Sequence, residues 1–189
     1  AIARAGDPGL VGRVMSAAAR ELLAIGVNWN LAPVADVLSV PDCPVGERSF
    51  GADPARVAKL VAAFVRGAAA SGMRTCAKHF PGHGSTAKDS HVAAPRVLLG
   101  RAELDARDLV PFRAAIQARV PAVMTAHITF PALDPAAPAT LSPPTLGGLP
   151  RAELGLDGVV ISDDREMAGT ADVAPMIAAL GAFLGGERS

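Results

Sequence analysis

The sequence predicts an α/β fold with a parallel sheet, in the form of an incomplete (β/α)8 barrel with about four central β/α units. Two observations predict it: short apolar runs alternate with helical patterns, and each apolar run ends in polar residues. Right-handed crossovers bring the carboxyl ends of such strands to one face, where barrel enzymes have their active sites. An open doubly wound sheet is the alternative, but no glycine-rich phosphate-binding fingerprint follows the first strand.

The first two helices have clear start signals. Asp7 is a suitable N-cap and Pro8 suits the first helical position of a helix that ends before Gly26. Asp53 and Pro54 open a second helix in the same way. Both helices are therefore predicted to begin at an Asp-Pro pair.

The strands and the remaining helices follow from the same alternation. Strands are predicted from the apolar runs at residues 26–33, 73–77, 121–127 and 158–164. The two later helical patterns span residues 103–118 and 143–154. Gly147, Gly148 and Pro150 are expected to break up the last of these helices, because glycine and proline are the poorest helix formers.

One stretch concentrates polar chemistry: residues 78–84 (KHFPGHG), followed by residues 89–91 (DSH). Three of the four histidines, Lys78 and the Asp89 carboxylate fall within the 14 residues from 78 to 91. The Pro-Gly-His-Gly run cannot form regular helix, so these polar side chains are predicted to lie on a loop after the second strand. Catalytic groups are commonly carried by loops that a rigid scaffold positions.

The composition fits a globular enzyme domain and excludes some partners. Lys+Arg and Asp+Glu are equal at 18 each, so no nucleic-acid partner is expected. No window approaches the ~20 apolar residues of a membrane span, and residues 1–25 carry charges throughout. The sequence does not decide between a cytoplasmic and a secreted protein, because the protein's amino terminus is expected to precede residue 1. Cys43 and Cys76 have no metal-type spacing and are expected to be free thiols.

Four blocks of residues, in order and spacing, resemble the family 3 glycoside hydrolases of the β-N-acetylhexosaminidase type. The blocks are residues 30–36 (NLAPVAD), 46–50 (GERSF), 78–84 with 89–91, and 160–164 (VISDD). The resemblance covers about residues 1–169. It implies a TIM-type barrel that removes terminal non-reducing β-linked N-acetylglucosamine from peptidoglycan- or chitin-derived glycans, without a cofactor.

The resemblance assigns the catalytic groups of a retaining mechanism. Asp163 is the nucleophile, at the carboxyl end of a strand expected to be buried. His91 is the acid and base, with Asp89 as its partner: a carboxylate on one ring nitrogen favours imidazolium, so the other nitrogen can protonate the leaving oxygen and later activate water. The alternative for Asp163 or Asp164 is that it caps the next helix.

The same resemblance implies that Arg48, Lys78 and His79 bind sugar hydroxyls, because charge-assisted hydrogen bonds are strong. The alternative is a salt-bridge network that holds strand ends. Asp36 and Glu47 are expected to be structural and to pair with Arg48 or a loop amide.

A metal centre is the main mechanistic alternative. His79, His83, Asp89 and His91 offer donors of the kind that zinc prefers, but none of the common ligand spacings is present, and no metal is expected. His83 is instead expected to shape the loop. His127 ends a strand and can line the pocket, but its neighbours assign it no role.

The whole chain, residues 1–189, is interpreted as one partial catalytic barrel, with an atypical C-terminal helix over residues 170–189. Two functional alternatives remain. A β-glucosidase-type activity is the first, although such relatives usually lack the DSH element and carry their acid on a second domain. The second is an incomplete, non-catalytic copy that at most binds sugar, because a complete barrel takes ~250 residues and eight strands.

Overall fold

The computed structural model describes residues 6–87 and 95–164. These residues contain a four-stranded sheet in the order β1-β2-β3-β4, and all neighbouring strands are parallel. The strands are β1 (Trp29–Asn30), β2 (Arg74–Phe80), β3 (Ala122–Thr125) and β4 (Val159–Ser162). The predicted α/β fold with a parallel sheet is confirmed. Within the described residues, the four strands do not close into a barrel.

Helices connect the strands as the alternation predicts. The α-helices are α1 (Pro8–Ala24), α2 (Pro54–Ala69), α3 (Arg101–Glu103) and α4 (Leu109–Gln117). The π-helical segments are Leu104–Asp108, which joins α3 to α4, and Pro144–Glu153, which precedes β4. Short 3₁₀ turns form at Gly46–Arg48 and Ala139–Leu141.

The Asp-Pro pairs start their helices as predicted. The Asp7 carboxylate accepts the Gly9 amide at 2.8 Å. The Asp53 carboxylate accepts the amides of Ala55 and Arg56 at 2.9 and 3.2 Å. In both helices the capping carboxylate satisfies amides that have no partner in the first turn.

Two helix predictions need correction. The third helix begins at Arg101, two residues earlier than predicted, and contains a π-helical turn. The fourth is not broken by its glycines and proline: Pro144–Glu153 winds continuously as a π-helix. Leu149 and Pro150 are buried in it, so tertiary packing overrides the low helical propensity of this segment.

The second strand extends further than predicted. Residues 78–80 belong to β2, and the loop begins only at Pro81. Backbone pairing explains the extension, because the Lys78 amide donates to the Pro33 carbonyl at 3.0 Å and the Lys78 carbonyl accepts the Ala35 amide at 2.6 Å. The prediction that His79 lies on a loop is therefore wrong: it lies on a strand that is paired through Lys78.

The main core packs between the sheet and helices α2 and α4. The rings of Phe80 and Phe112 meet edge to face, with centroids 5.1 Å apart. Other fully buried members are Val57, Val61, Val65, Leu104, Leu109, Val123 and Ile128. This packing fixes the direction of β2, whose carboxyl end carries the polar cluster.

The fourth strand is not buried as expected. Val159 is 50% exposed, and Val160 and Ile161 are only partly covered. The reason is that β4 pairs with β3 on one side and has no second strand partner among residues 6–87 and 95–164.

Helices α1 and α2 approach each other closely where Gly12 faces Gly67. A Cβ atom at position 67 would overlap the Gly12 backbone, whereas a Cβ at position 12 would make only an ordinary contact, 3.6 Å from the Ala63 carbonyl oxygen. The two glycines are thus unequal, although both are helical.

We expect Gly67→Ala to lower the free energy of unfolding by about 1–3 kcal/mol, the typical cost of overpacking. Gly12→Ala is the matched control, and it should be neutral or stabilising by up to ~1 kcal/mol because alanine favours helix. Urea unfolding of the purified variants measures both. Equal effects of the two substitutions would contradict the close approach.

Candidate active site

The polar cluster lies where β2 and β4 end. His79 is the penultimate residue of β2, and Asp163 follows β4 directly. The His79 Nε2 atom lies 3.8 Å from the Asp163 Oδ2 atom. The Asp163 amide donates to the Thr125 carbonyl of β3 at 3.3 Å. Sheet pairing therefore brings two of the predicted site residues together across the intervening strand.

The Asp163 carboxylate is held in a defined orientation. Its Oδ1 atom accepts the Asp164 amide at 2.9 Å, while Oδ2 faces the His79 ring. Its side chain keeps 24% of its surface exposed, so a ligand at this edge of the sheet can reach it.

Beneath His79 lies a second carboxylate, that of Asp36, which is fully buried. Its Oδ2 atom is 2.7 Å from His79 Nδ1, and its Oδ1 atom accepts the His83 amide at 2.7 Å and the His79 amide at 3.2 Å. Asp36 is therefore the centre of three donors. It binds a loop amide as expected, that of His83, but its side-chain partner is His79 and not Arg48.

These donors decide the charge of Asp36. Burial alone raises the pKa of this carboxyl, but the charge and ring hydrogen bond of His79 and the His83 amide outweigh it, so its pKa lies below the ordinary value. Because the carboxylate only accepts, the proton in the short contact sits on His79 Nδ1. The other ring nitrogen of His79 is thereby aimed at Asp163.

The histidine loop is fixed from below by Asp108, a residue that the sequence did not indicate. Asp108 is fully buried, and its Oδ1 atom accepts the Ser85 hydroxyl at 2.5 Å. Arg107 donates to both: its Nε atom to Asp108 Oδ2 at 2.9 Å, and its Nη2 atom to Ser85 Oγ at 2.7 Å. Burial raises the pKa of Asp108, although Ser85 and Arg107 oppose the shift.

The glycines of the loop are needed for close approach. A Cβ at Gly84 would overlap the Val37 carbonyl, and Gly82 has a φ of 146° with its open side against Asp108. The Ser39 amide donates to the Gly84 carbonyl at 3.0 Å. These contacts seat the loop on two neighbouring segments, which agrees with the expected structural role of the residues around His83.

Lys78 lies half-buried beside the site, on the strand face that also carries Cys76. Burial raises the pKa of the Cys76 thiol to about 12; the Lys78 charge lowers it and the Asp163 charge raises it. Both charges are thus close to the same buried atom. Cys76 and Cys43 are free thiols, as predicted.

Arg48 lies at the end of the 3₁₀ turn and is exposed. Its guanidinium donates to the carbonyls of Val45 and Pro44 at 3.2 and 3.3 Å. In the part of the chain that the structure describes, it does not join His79 and Asp163. Its sugar-binding role stays a prediction.

Asp89 and His91 lie outside the described residues, so their predicted acid–base role stays a prediction. The metal alternative rests partly on the same two residues. Over the ranges 6–87 and 95–164, no three or more His, Cys, Asp or Glu side chains are arranged to hold a metal ion. No helix in those ranges combines the length and hydrophobicity that a bilayer crossing requires.

His127, to which the sequence assigned no role, is fully buried behind the end of β4. Its Nε2 atom is 2.8 Å from the Asp164 carbonyl, and its Nδ1 atom is 2.8 Å from the Thr140 hydroxyl. It therefore touches the residue that follows Asp163. The sequence signal that could have found it is its position just beyond a strand, two residues after the end of β3.

Comparison with known proteins gives one consistent result. The model of the glycosyl hydrolase family 3 N-terminal domain matches residues 1–181. A β-hexosaminidase of Alkalilimnicola ehrlichii is 44% identical over 158 residues, which are 84% of this chain and 45% of that relative. The chain thus spans less than half the length of this curated relative.

Solved structures agree with the sequence matches. The family 3 β-N-acetylglucosaminidase from Paenibacillus sp. str. FPU-7 superposes with a TM-score of 0.89 at 44% identity, over 92% of this chain and 33% of that chain. The β-N-acetylhexosaminidase from Beutenbergia cavernae gives a TM-score of 0.85 at 35% identity, over 95% and 55% of the two chains.

We expect Asp36→Asn to lower the free energy of unfolding by roughly 3 kcal/mol near neutral pH, because it removes a buried carboxylate that accepts hydrogen bonds from three donors. The folded-state pKa of Asp36 is depressed, so its contribution is complete above the unfolded value of 3.8 and is lost as the pH falls below it. The difference between wild type and variant should therefore shrink below about pH 4.

Urea unfolding across a pH series measures this difference. Asp42→Asn is the control, because it neutralises an exposed carboxylate and should change stability by less than ~0.5 kcal/mol. A stability gap that stays constant down to the acid limit would contradict an ionised Asp36.

Proposed function

The chain belongs to glycosyl hydrolase family 3. We propose that it carries the part of the active site of a retaining β-N-acetylhexosaminidase that contains the nucleophile. Its substrates are terminal, non-reducing, β-linked N-acetylglucosamine residues of peptidoglycan- or chitin-derived glycans. The observation that carries the proposal is the solvent-accessible Asp163 carboxylate beside His79 at the carboxyl end of the parallel sheet. Relatives named β-hexosaminidase and β-N-acetylglucosaminidase support the choice of sugar.

In this mechanism Asp163 attacks the anomeric carbon and forms a covalent glycosyl-enzyme. The two carboxylates near His79 differ in access, and this difference supports the assignment. Asp36 is fully buried and saturated with donors, whereas Asp163 keeps one oxygen on the Asp164 amide and turns the other toward His79 and the open edge. A nucleophile needs such a positioned and accessible oxygen.

His91 gives a proton to the departing oxygen in the first step and takes one from the incoming water in the second. Asp89 holds the ring and favours its protonated form before the first step. After proton transfer the imidazole is neutral, so it does not repel an anionic acceptor. A phosphate ion in place of water is compatible with this acid–base group for that reason.

His79, Lys78 and Arg48 bind the hydroxyls of the terminal sugar in this proposal. His79 is the best supported of the three, because Asp36 fixes the proton on Nδ1 and leaves Nε2 directed at the space beside Asp163. Lys78 adds a positive charge on the same strand. A rigid strand suits positioning, since small displacements of a bound sugar cost rate.

We expect the complete product of the gene to hydrolyse a chromogenic N-acetyl-β-glucosaminide far faster than the matching β-glucoside. The chain alone should be assayed in parallel, with a chelator arm that tests the metal alternative. The reverse preference would favour the β-glucosidase alternative. If the complete gene product turned over neither sugar, the non-catalytic alternative would stand.

In the same assay Asp163→Ala should abolish turnover, and azide should restore part of it on an activated substrate by attacking the anomeric carbon directly. Asp157→Ala, which removes an exposed carboxylate on the amino side of β4, should leave turnover unchanged. Loss of activity in both variants, or full activity in Asp163→Ala, would argue against this nucleophile.

His91→Ala should slow substrates with poor leaving groups far more than activated aryl glycosides, because only a poor leaving group needs the proton. The measurement is kcat/KM across aryl leaving groups of graded acidity. Equal losses for every leaving group would show that His91 is not the acid.

A further inference from the structure

We infer that His127 is a positioning residue for the nucleophile, which it holds in place by binding the backbone carbonyl of Asp164, the residue after Asp163. This inference rests on the proposed function of Asp163. His127 lies two residues beyond the end of β3 and is 1% exposed. Its ring is therefore out of reach of substrate, and any effect on the reaction must pass through its neighbours.

The hydrogen bonds of the ring define its protonation at one nitrogen. The Asp164 carbonyl can only accept, so His127 Nε2, 2.8 Å away, must carry a proton. The Thr140 hydroxyl, 2.8 Å from Nδ1, can either donate to a neutral ring or accept from a charged one. Nε2 is a donor in both cases, so the bond to the Asp164 carbonyl does not depend on the charge of the ring.

The partner of Nδ1 is itself fixed. The Thr140 hydroxyl lies 3.1 Å from the Ala126 carbonyl and 3.1 Å from the Thr125 hydroxyl, all of them buried. The ring is thus anchored on the 3₁₀ turn Ala139–Leu141 and on the backbone next to it. The single Thr140 proton goes either to Nδ1 or to the Ala126 carbonyl, and in both cases these contacts hold the ring in the same position.

His127 continues the β3–β4 pairing beyond the point where the backbone ladder stops. Within residues 6–87 and 95–164, the last paired residues are Thr125 and Ser162, and the Asp163 amide makes the last backbone bond, to the Thr125 carbonyl at 3.3 Å. The Thr125 hydroxyl also reaches the Ile161 carbonyl at 3.3 Å. The imidazole then supplies a donor where the strand no longer does.

Asp163 consequently lies between two hydrogen bonds whose partners are Thr125 of β3 and His127, just beyond β3. Its own amide is held on one side, and the carbonyl of the next residue is held on the other. The Asp163 amide ties the peptide group before its Cα, and the Asp164 amide, in the peptide group after it, binds the Asp163 carboxylate at 2.9 Å. His127 holds the Asp164 carbonyl, one peptide group further on, so the backbone that supports the carboxylate is tied on both sides. This matters because β4 is half-exposed and is paired only with β3 over the part of the chain described.

The test compares two substitutions, each of which can keep one of the ring's two hydrogen bonds. In His127→Gln the terminal amide can reach the Nε2 position and donate to the Asp164 carbonyl. In His127→Asn the shorter amide can serve the Thr140 side but cannot reach Asp164. We expect His127→Asn to lose roughly 10²-fold in kcat, the scale of a 1 Å misplacement, with KM little changed, and His127→Gln to recover most of that loss.

Thermal unfolding of both variants separates positioning from simple destabilisation, since each removes a buried ring. Similar stabilities with unequal kcat values support the inference. Equal kcat values for the two variants, or losses that appear in KM rather than kcat, overturn it while the activity of the wild type keeps the proposed function intact. An inactive wild type, by contrast, would contradict the proposed function itself.

A second readout is independent of turnover. The ¹⁵N chemical shifts of the histidine side chains distinguish a protonated Nε2 from an unprotonated one, and the His127 signals are assigned by their loss in His127→Gln. We expect a protonated Nε2 atom in wild type. A tautomer protonated only at Nδ1 would overturn the inference whatever the activity.

Discussion

The buried Asp36 carboxylate is the interaction on which the site depends. It draws three donors from two later positions, the His79 amide and ring and the His83 amide, and so ties the end of β2 to the start of the loop. A buried charge is tolerated only when it is hydrogen-bonded in this way, so removal of any donor would leave a buried carboxylate oxygen without a partner and would destabilise the fold. The loop geometry and the orientation of His79 both follow from this requirement.

Two carboxylates share one imidazole, and burial divides their roles. Asp36 has exchanged all its water for protein donors and is locked, which makes it suited to orient His79. Asp163 keeps part of its solvent contact, and its Oδ2 atom lies 3.8 Å from the ring, so a sugar carbon can approach the carboxylate from its exposed side. The same histidine thus contacts both the structural Asp36 carboxylate and the proposed nucleophile, although the two carboxylates differ in burial and in hydrogen bonding.

The parts of the fold that sequence could predict are those with local signals. The Asp-Pro helix starts depend on neighbours within a few positions, and the parallel sheet follows from the alternation of apolar runs with helical patterns. The extension of β2 through His79 depends on backbone partners in residues 33–35, more than 40 residues earlier, and the continuous π-helix depends on burial of Leu149. Likewise nothing around Asp36 or His127 in the sequence announces donors or acceptors that lie 13 to 47 residues away.

The proposed site combines two kinds of support. Asp163, the proposed nucleophile, directly follows β4, where a backbone bond to β3 and the His127 ring hold the chain in place. The residues that lead toward the DSH element are held by a separate anchor, Asp108 with Ser85. These anchors share no residue, so damage to one need not disturb the other. An acid and a nucleophile that must approach one anomeric carbon from different directions are well served by such independence, because each can be held against its own part of the core.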